Sequence, residues 1–179
     1  GTHVAGIIGA EGNNAEGIAG VSWDVNLMNL KVFHDFETYN DINYGWKGLT
    51  EAIRYAADNE AKVINLSLGA NWGAAVTDQK VYYSGTFNDF KNNDPDLYNE
   101  FYSALKYASD KGCVIVAAAG NDNSNNSLYT CIPSDFSQEI PGMLSVAAIS
   151  NTLDIATYSN YANHISISAP GGDENSYTL

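Results

Sequence analysis

The stretch Cys113-Val114-Ile115-Val116-Ala117-Ala118-Ala119-Gly120-Asn121 limits the possible folds more than any other. Seven apolar residues run together, then a glycine, then an asparagine. A run of this length between turn signals suits a strand buried on both faces. Val114, Ile115 and Val116 are β-branched and Gly120 closes the run, which argues against a helix. Strands of this kind belong to parallel sheets, which bind ligands at the carboxyl ends of their strands. Asn121 stands at that end. The three alanines before it leave room for something to pack close.

The rest of the chain alternates around this run. Thr2 to Glu11 reads as a helix, with Val4, Ile7 and Ile8 on one side. Its glycines lower helix propensity, so that helix needs close packing as its reason. Leu27 to Phe33 reads as a strand, and residues 34–45 as a loop. Trp46 to Asn59 carries Leu49, Ile53 and Ala56/Ala57 at helical spacing. Lys62 to Leu68 reads as a second buried strand. Residues 70–96 break the rhythm with aromatics and the turn-prone Asn92-Asn93-Asp94-Pro95, and are expected to form an irregular insertion. Leu97 to Lys111 is a further helix, with Gly112 placed for its C-terminal cap. Met143 to Ile149 and Ile165 to Ala169 read as the last strands. This order predicts an α/β fold: a three-layer sandwich with a mostly parallel sheet, helices on both faces and right-handed crossovers. No repeat or linker divides residues 1–179, which read as one domain or part of one.

Bulk properties narrow the function. With 179 residues, 45% of them hydrophobic, the chain can bury a real core. A net charge of −13 with only 8 unclustered Lys and Arg argues against nucleic acid as a partner. No apolar run approaches the roughly 20 residues of a membrane helix. A strand from Cys113 to Asn121 carries the chain roughly 26 Å away before Cys131. The pairing distance of about 7 Å between α-carbons then requires the chain to double back, so two free thiols are expected.

Three segments carry a resemblance. They are Gly1-Thr2-His3-Val4-Ala5-Gly6, followed by Gly17-Ile18-Ala19-Gly20-Val21; Val63-Ile64-Asn65-Leu66-Ser67-Leu68-Gly69; and Val116-Ala117-Ala118-Ala119-Gly120-Asn121. In this order, with Leu30-Lys31-Val32 and Ala169-Pro170-Gly171, the chain resembles the subtilisin-like serine proteases, or subtilases. The resemblance spans nearly all of the chain apart from 70–96. In that family the catalytic histidine immediately precedes the first motif, the aspartate lies further upstream, and the nucleophile sits in a downstream Gly-Thr-Ser. None of these has a counterpart here, and His3 matches a second, non-catalytic histidine. The resemblance therefore implies the central part of a peptidase domain, incomplete at both ends and inactive by itself.

The resemblance also implies roles for residues that are present. Asn121 corresponds to the amide that stabilises the oxyanion. Ser67, Leu68 and Gly69 correspond to one wall of the substrate groove, and Ala118, Ala119 and Gly120 to the opposite wall. The partner implied is an extended peptide or protein, held by backbone pairing with side chains in alternate pockets. Ser67 is not expected to be a nucleophile, because Ser-Leu-Gly ending a strand is no Gly-x-Ser-x-Gly elbow. Cys131 falls near the floor of the groove, and the aromatics of Tyr39 to Trp46 near a distal flank.

The loop Glu11–Ile18 resembles a subtilase calcium loop. Asn14 is its best side-chain ligand, with Asn13 and Glu16 next, because hard cations take oxygen donors. No organic cofactor is implied: Gly6-Ile7-Ile8-Gly9-Ala10-Glu11-Gly12 lacks dinucleotide spacing and a preceding strand. His34 with Asp35, and His164 alone, lack zinc-ligand spacing. The family's habit implies an extracellular or cell-envelope setting. The competing expectation is a catalytically dead subtilase relative that binds peptides or serves as a structural domain.

Overall fold

A computed structural model of the chain describes residues 1–33, 42–73, 75–77, 80–82 and 85–173. Its elements run α1 (Thr2–Gly9), α2 (Ile42–Asp58), β1 (Val63–Leu66), β2 (Ala70–Asn71), β3 (Ala75–Thr77), β4 (Lys80–Tyr82), α3 (Phe87–Asn93), α4 (Pro95–Asp110), β5 (Val114–Ala118), β6 (Cys131–Ile132), β7 (Met143–Ile149) and β8 (Ile167–Pro170). The main sheet has the order β1-β5-β7-β8 and is parallel throughout. The α/β fold with a mostly parallel sheet is what the alternation of the sequence implied.

Register sorts the strands' side chains into two faces. Ile64, Ile115 and Met143 lie in one row, and Leu66, Ala117 and Ser145 in another, and all six are buried. Successive side chains alternate, so Val63 and Val114 point the other way. They remain 59% and 41% exposed. Two helices cover the buried face. Helix α2 contributes Leu49, Ile53, Ala56 and Ala57, and α4 contributes Tyr98, Phe101, Ala104, Leu105 and Ala108. Both sets recur every three to four residues, the stripe an amphipathic helix needs. Trp46 meets Phe101 edge-on at 5.4 Å between ring centroids, joining the two helices.

Local signals fix the ends of α4. Pro95 opens it, where its missing N–H is no loss. Gly112 follows it with φ +85°, and its N–H donates to the Ser109 carbonyl. That left-handed position is what the C-terminal glycine was expected to supply.

Residues 70–96 depart from the expected irregular insertion. They hold β2, the β3–β4 hairpin and α3. Thr86 caps α3 by accepting the Asp89 N–H, and the Asp89 carboxylate accepts the Thr86 N–H in return. This capping box satisfies donors that an isolated helix end leaves open. The helix then sinks Phe87 and Phe90 into a ring cluster with Tyr98 and Phe136. Fully burying each such ring stabilises by about 1.5–3 kcal/mol.

A second departure is at Leu27 to Phe33, which forms no strand. Its apolar residues look strand-like, but among the described residues the main sheet begins at β1 and does not include this stretch. Leu30 and Val32 pack against the core, while Leu27 and Met28 stay exposed. Helix α1 does form, and the reason for its glycines is visible. A side chain at Gly9 would meet Val25 at 2.6 Å, and one at Gly6 would meet Ile18 at 3.4 Å. The helix has no buried residue of its own. His34, Asp35 and Tyr39 lie outside the described residues.

Candidate active site

β1 and β5 run side by side to the pair Leu66↔Ala117 and Asn65↔Val116. Beyond that, no ladder bond joins Ser67–Gly69 to Ala118–Gly120 among the described residues. The first segment turns into β2, which pairs antiparallel with β6 through Asn71↔Cys131. The second stays tied to the sheet, because the Ala119 N–H donates to the Val146 carbonyl. The ladder between these two neighbouring segments thus ends at their carboxyl ends.

Cys131 lies between the walls. A side chain at Gly69 would bring its first carbon within 3.5 Å of the sulfur, and one at Gly120 within 3.3 Å. The thiol is fully buried. Burial, with the nearby carboxylates of Asp135 and Asp122, pushes its pKa far above that of an ordinary thiol. It is therefore a neutral filler at neutral pH. Cys113 is also free, and its thiol donates to the Ala61 carbonyl. The two expected free thiols are both present.

Asn121 follows Gly120 at the open end. It is exposed, and its side chain has no hydrogen-bond partner among the described residues. The backbone around it is held tightly. Asn160, fully buried, donates its N–H to the Gly120 carbonyl at 3.0 Å and accepts the Asp122 N–H on its Oδ1 at 2.8 Å. The same oxygen accepts the Ser124 N–H at 3.1 Å. The Asn160 amide donates to Asn126 Oδ1. The Asn126 amide donates to the Ala119 carbonyl and to Asp135 Oδ1. Asp135 also accepts from Thr130 Oγ1 and the Cys131 N–H, and it pairs with His164 Nε2 at 3.1 Å. A carboxylate this buried needs such partners to remain there.

The opposite wall is lightly held. The Asn65 amide donates to Ser67 Oγ, Leu68 packs on the core, and Ser67 and Gly69 are exposed. Just past these stretches a side-chain bond joins the two segments: the Asn71 amide donates to Asp122 Oδ2 at 3.0 Å.

The chain's similarity to known proteins agrees with this geometry. The family model described as the subtilase family matches residues 1–179. The chain belongs to the subtilase family. It is 33% identical over 175 residues to a thermophilic serine proteinase of Bacillus sp. strain AK1, covering 97% of this chain and 34% of that protein. It is 38% identical over 125 residues to the nisin leader peptide-processing serine protease of Lactococcus lactis, covering 70% of this chain and 15% of that protein. Among solved structures, a protease of Pseudoalteromonas arctica superposes with a TM-score of 0.68 at 28% identity, over 96% of this chain and 43% of that one. The chain thus spans well under half the length of these subtilases.

The remaining sequence expectations resolve as follows. Ser67–Gly69, Ala118–Gly120, Cys131 and Asn121 lie at one end of the sheet. The loop Glu11–Ile18 is separate and forms a shallow concavity. In it Asn13, Ala15 and Gly17 alternate in the left-handed region, and the Asn14 Oδ1 accepts the Glu16 N–H at 3.0 Å. As a donor set this is all oxygen, which suits a hard cation in kind. Asn14 and Glu16 would hold such an ion together with loop carbonyls. No cluster of three His, Cys, Asp or Glu occurs among the described residues. His164, which lacked zinc-ligand spacing in the sequence, pairs with Asp135. Asn160, Asn126 and Asp135 were not singled out from the sequence, and their contacts span 29 to 38 residues where they meet His164, Asn126 and Asp122.

Proposed function

We propose that this chain is the central part of a serine endopeptidase domain that cleaves peptides by acyl transfer, with Asn121 as oxyanion donor. An upstream Asp and His and a downstream Ser would complete the machinery in the full-length protein. The observation that carries this reading is the parting of β1 and β5 around Cys131, with an exposed, unpartnered amide at the end of one wall. Backbone groups released where a ladder stops can pair with an extended peptide, and the cleft between them can receive one of its side chains. A fixed donor facing the charge that develops on the scissile carbonyl lowers the barrier without reorganising.

Each residue has a role in this scheme. Ser67, Leu68 and Gly69 offer one edge to the substrate backbone, and Ala118, Ala119 and Gly120 the other. The small side chains of the alanines, and the absence of one at Gly120, keep the slot open. Asn121 acts after attack, when the carbonyl oxygen becomes an anion. His activates Ser, and Asp orients His, as in any triad of this type. A processed leader peptide is the substrate of one relative, and it supports an extended segment of a larger polypeptide as the substrate here. Calcium at Asn14 and Glu16 would stiffen the loop after α1 and takes no part in the chemistry. An extracellular or cell-envelope location belongs to the same proposal. Among the described residues, no helix is long and apolar enough to cross a membrane.

The test is Asn121→Ala in the full-length protein, assayed on a chromogenic peptide. The expected result is a fall in kcat of about 10²–10³ with little change in KM, a scale taken from a member of the same family. Labelling by a fluorophosphonate probe checks the nucleophile separately. A folded protein that takes no label removes the reading in favour of a catalytically dead relative, and an unchanged kcat in Asn121→Ala removes Asn121 as the oxyanion donor.

A further inference from the structure

Asn160 holds the chain on both sides of Asn121. Its backbone N–H binds the Gly120 carbonyl, and its side-chain oxygen binds the N–H of Asp122. The residue between those anchor points has little freedom to shift along or across the chain. The fit is close. Gly120 has φ +118°, and a side chain there would meet the Asn160 amide nitrogen at 2.2 Å. The grip on the turn therefore requires both the asparagine at 160 and the absence of a side chain at 120.

Asn160 is itself oriented. Its amide donates to Asn126 Oδ1, which fixes which end of the side chain faces the turn. Asn126 is fixed in the same way by the Ala119 carbonyl and by Asp135. Asp135 is anchored by Thr130, the Cys131 N–H and His164. Every link is at least partly buried, and Asn160, Asn126 and Asp135 are each 1% exposed or less. Satisfied polar networks of this depth favour one arrangement over near alternatives.

We infer that Asn160 is a positioning residue for the oxyanion donor, clamping the turn that carries Asn121 through a chain of side chains that ends at Asp135 and His164. The inference rests on the proposed peptidase reading and adds a group that touches no substrate. Misplacing a reacting group by about 1 Å can lower a rate about 10²-fold. The loss belongs in kcat, because the donor engages the transition state more than the bound peptide.

The experiment uses the full-length protein and a chromogenic peptide. Asn160→Ser removes the long acceptor. It is expected to lower kcat about 10- to 100-fold, with KM within about threefold. Asn160→Asp keeps an oxygen in the same place and is expected to recover at least half of that loss on a logarithmic scale. In a double variant with Asn121→Ala, Asn160→Ser is expected to add less than about twofold, since residues acting through one group are not additive. Thermal melts accompany each variant. If Asn160→Ser does not fold, Asn160→Asp alone is read, and a kcat within tenfold of the parent supports the clamp. A folded Asn160→Ser with unchanged kcat overturns the inference, as do losses that multiply with Asn121→Ala or a folded Asn160→Asp with kcat at or below the Ser level. A wild-type protein that neither labels nor cleaves removes the peptidase reading as well. An active protein sensitive to Asn121→Ala but indifferent at 160 removes this inference alone.

Discussion

The two segments proposed as walls of a substrate groove are built to opposite standards. Ser67–Gly69 leaves β1 with one side-chain hydrogen bond, Asn65 to Ser67, and then joins the two-residue ladder of β2 with β6. Ala118–Asn121 leaves β5 under a buried network and remains tied to β7 through Ala119. The difference follows from what each wall has to do in the proposed reaction. An edge that accepts a peptide backbone needs free N–H and carbonyl groups, and tying them up would compete with substrate. A donor facing a developing charge needs a fixed position before the charge appears.

Changes that strike the two walls should separate along this line. The largest effect is expected for Asn121→Ala: a fall of about 10²–10³ in kcat with KM nearly constant, measured on peptide substrate. Gly120→Ala comes next. Its φ of +118° strains any L side chain, and the Asn160 amide blocks the space at 2.2 Å. Strain of that kind costs about 1–3 kcal/mol, read as a lowered midpoint in urea, and kcat should fall with it. Gly69→Ala is the matched change on the open wall. Its new carbon would stand 2.9 Å from the Ile132 carbonyl oxygen, with no positive φ to aggravate it. A loss of about 1 kcal/mol is expected, with the kinetic effect in KM rather than kcat. Equal losses at the two glycines would erase the contrast between the walls.

The smallest effect is expected away from the groove. Burial raises the Glu139 pKa, but bonds from the Tyr98 hydroxyl and from Lys91 outweigh this and leave it below the ordinary 4.5. A carboxylate with a depressed folded pKa stabilises above its unfolded value, and that contribution disappears as pH falls through the folded one. Melting temperature should therefore drop below about pH 4.5, and Glu139→Gln should flatten that slope without touching kcat at pH 7. An unchanged slope would show that the carboxylates governing acid stability lie elsewhere.

Much of the fold was readable because it is written in local patterns. Met143 to Ile149 was read with the bounds it has in the structure, since an apolar run between turns leaves little choice. Gly112 declared the end of α4. Leu27 to Phe33 misled, because an apolar pattern states what a strand would bury and not whether a neighbour is there to pair with it. The order within 70–96 was hidden by its aromatics and turn residues. Its one local signal was Thr86-x-x-Asp89, a capping box with aspartate in place of the commoner glutamate.

The candidate site divides in the same way. Asn121 and the two walls are contiguous motifs, so their resemblance could be seen residue by residue. Asn160, Asn126, Asp135 and His164 have no shared period and no motif. Their meaning comes from contacts across about 30 residues that only the fold creates. His164 is the clearest case: nothing beside it in the sequence names its partner, yet it closes one end of a buried network.

Cys131 has a consequence for how related chains should differ. Its sulfur borders both glycines, 3.5 Å from a first side-chain carbon at 69 and 3.3 Å from one at 120, but the Ile132 carbonyl at 2.9 Å and the Asn160 amide at 2.2 Å stand closer. The small size at 69 and at 120 is therefore imposed from different sides, and Cys131 alone sets neither. A smaller residue at 131 should leave both glycines required, at 69 by the Ile132 backbone and at 120 by the left-handed φ and Asn160. In a sufficiently deep alignment, size at 131 should vary without matching changes at 69 or 120, whereas 120 should follow 160.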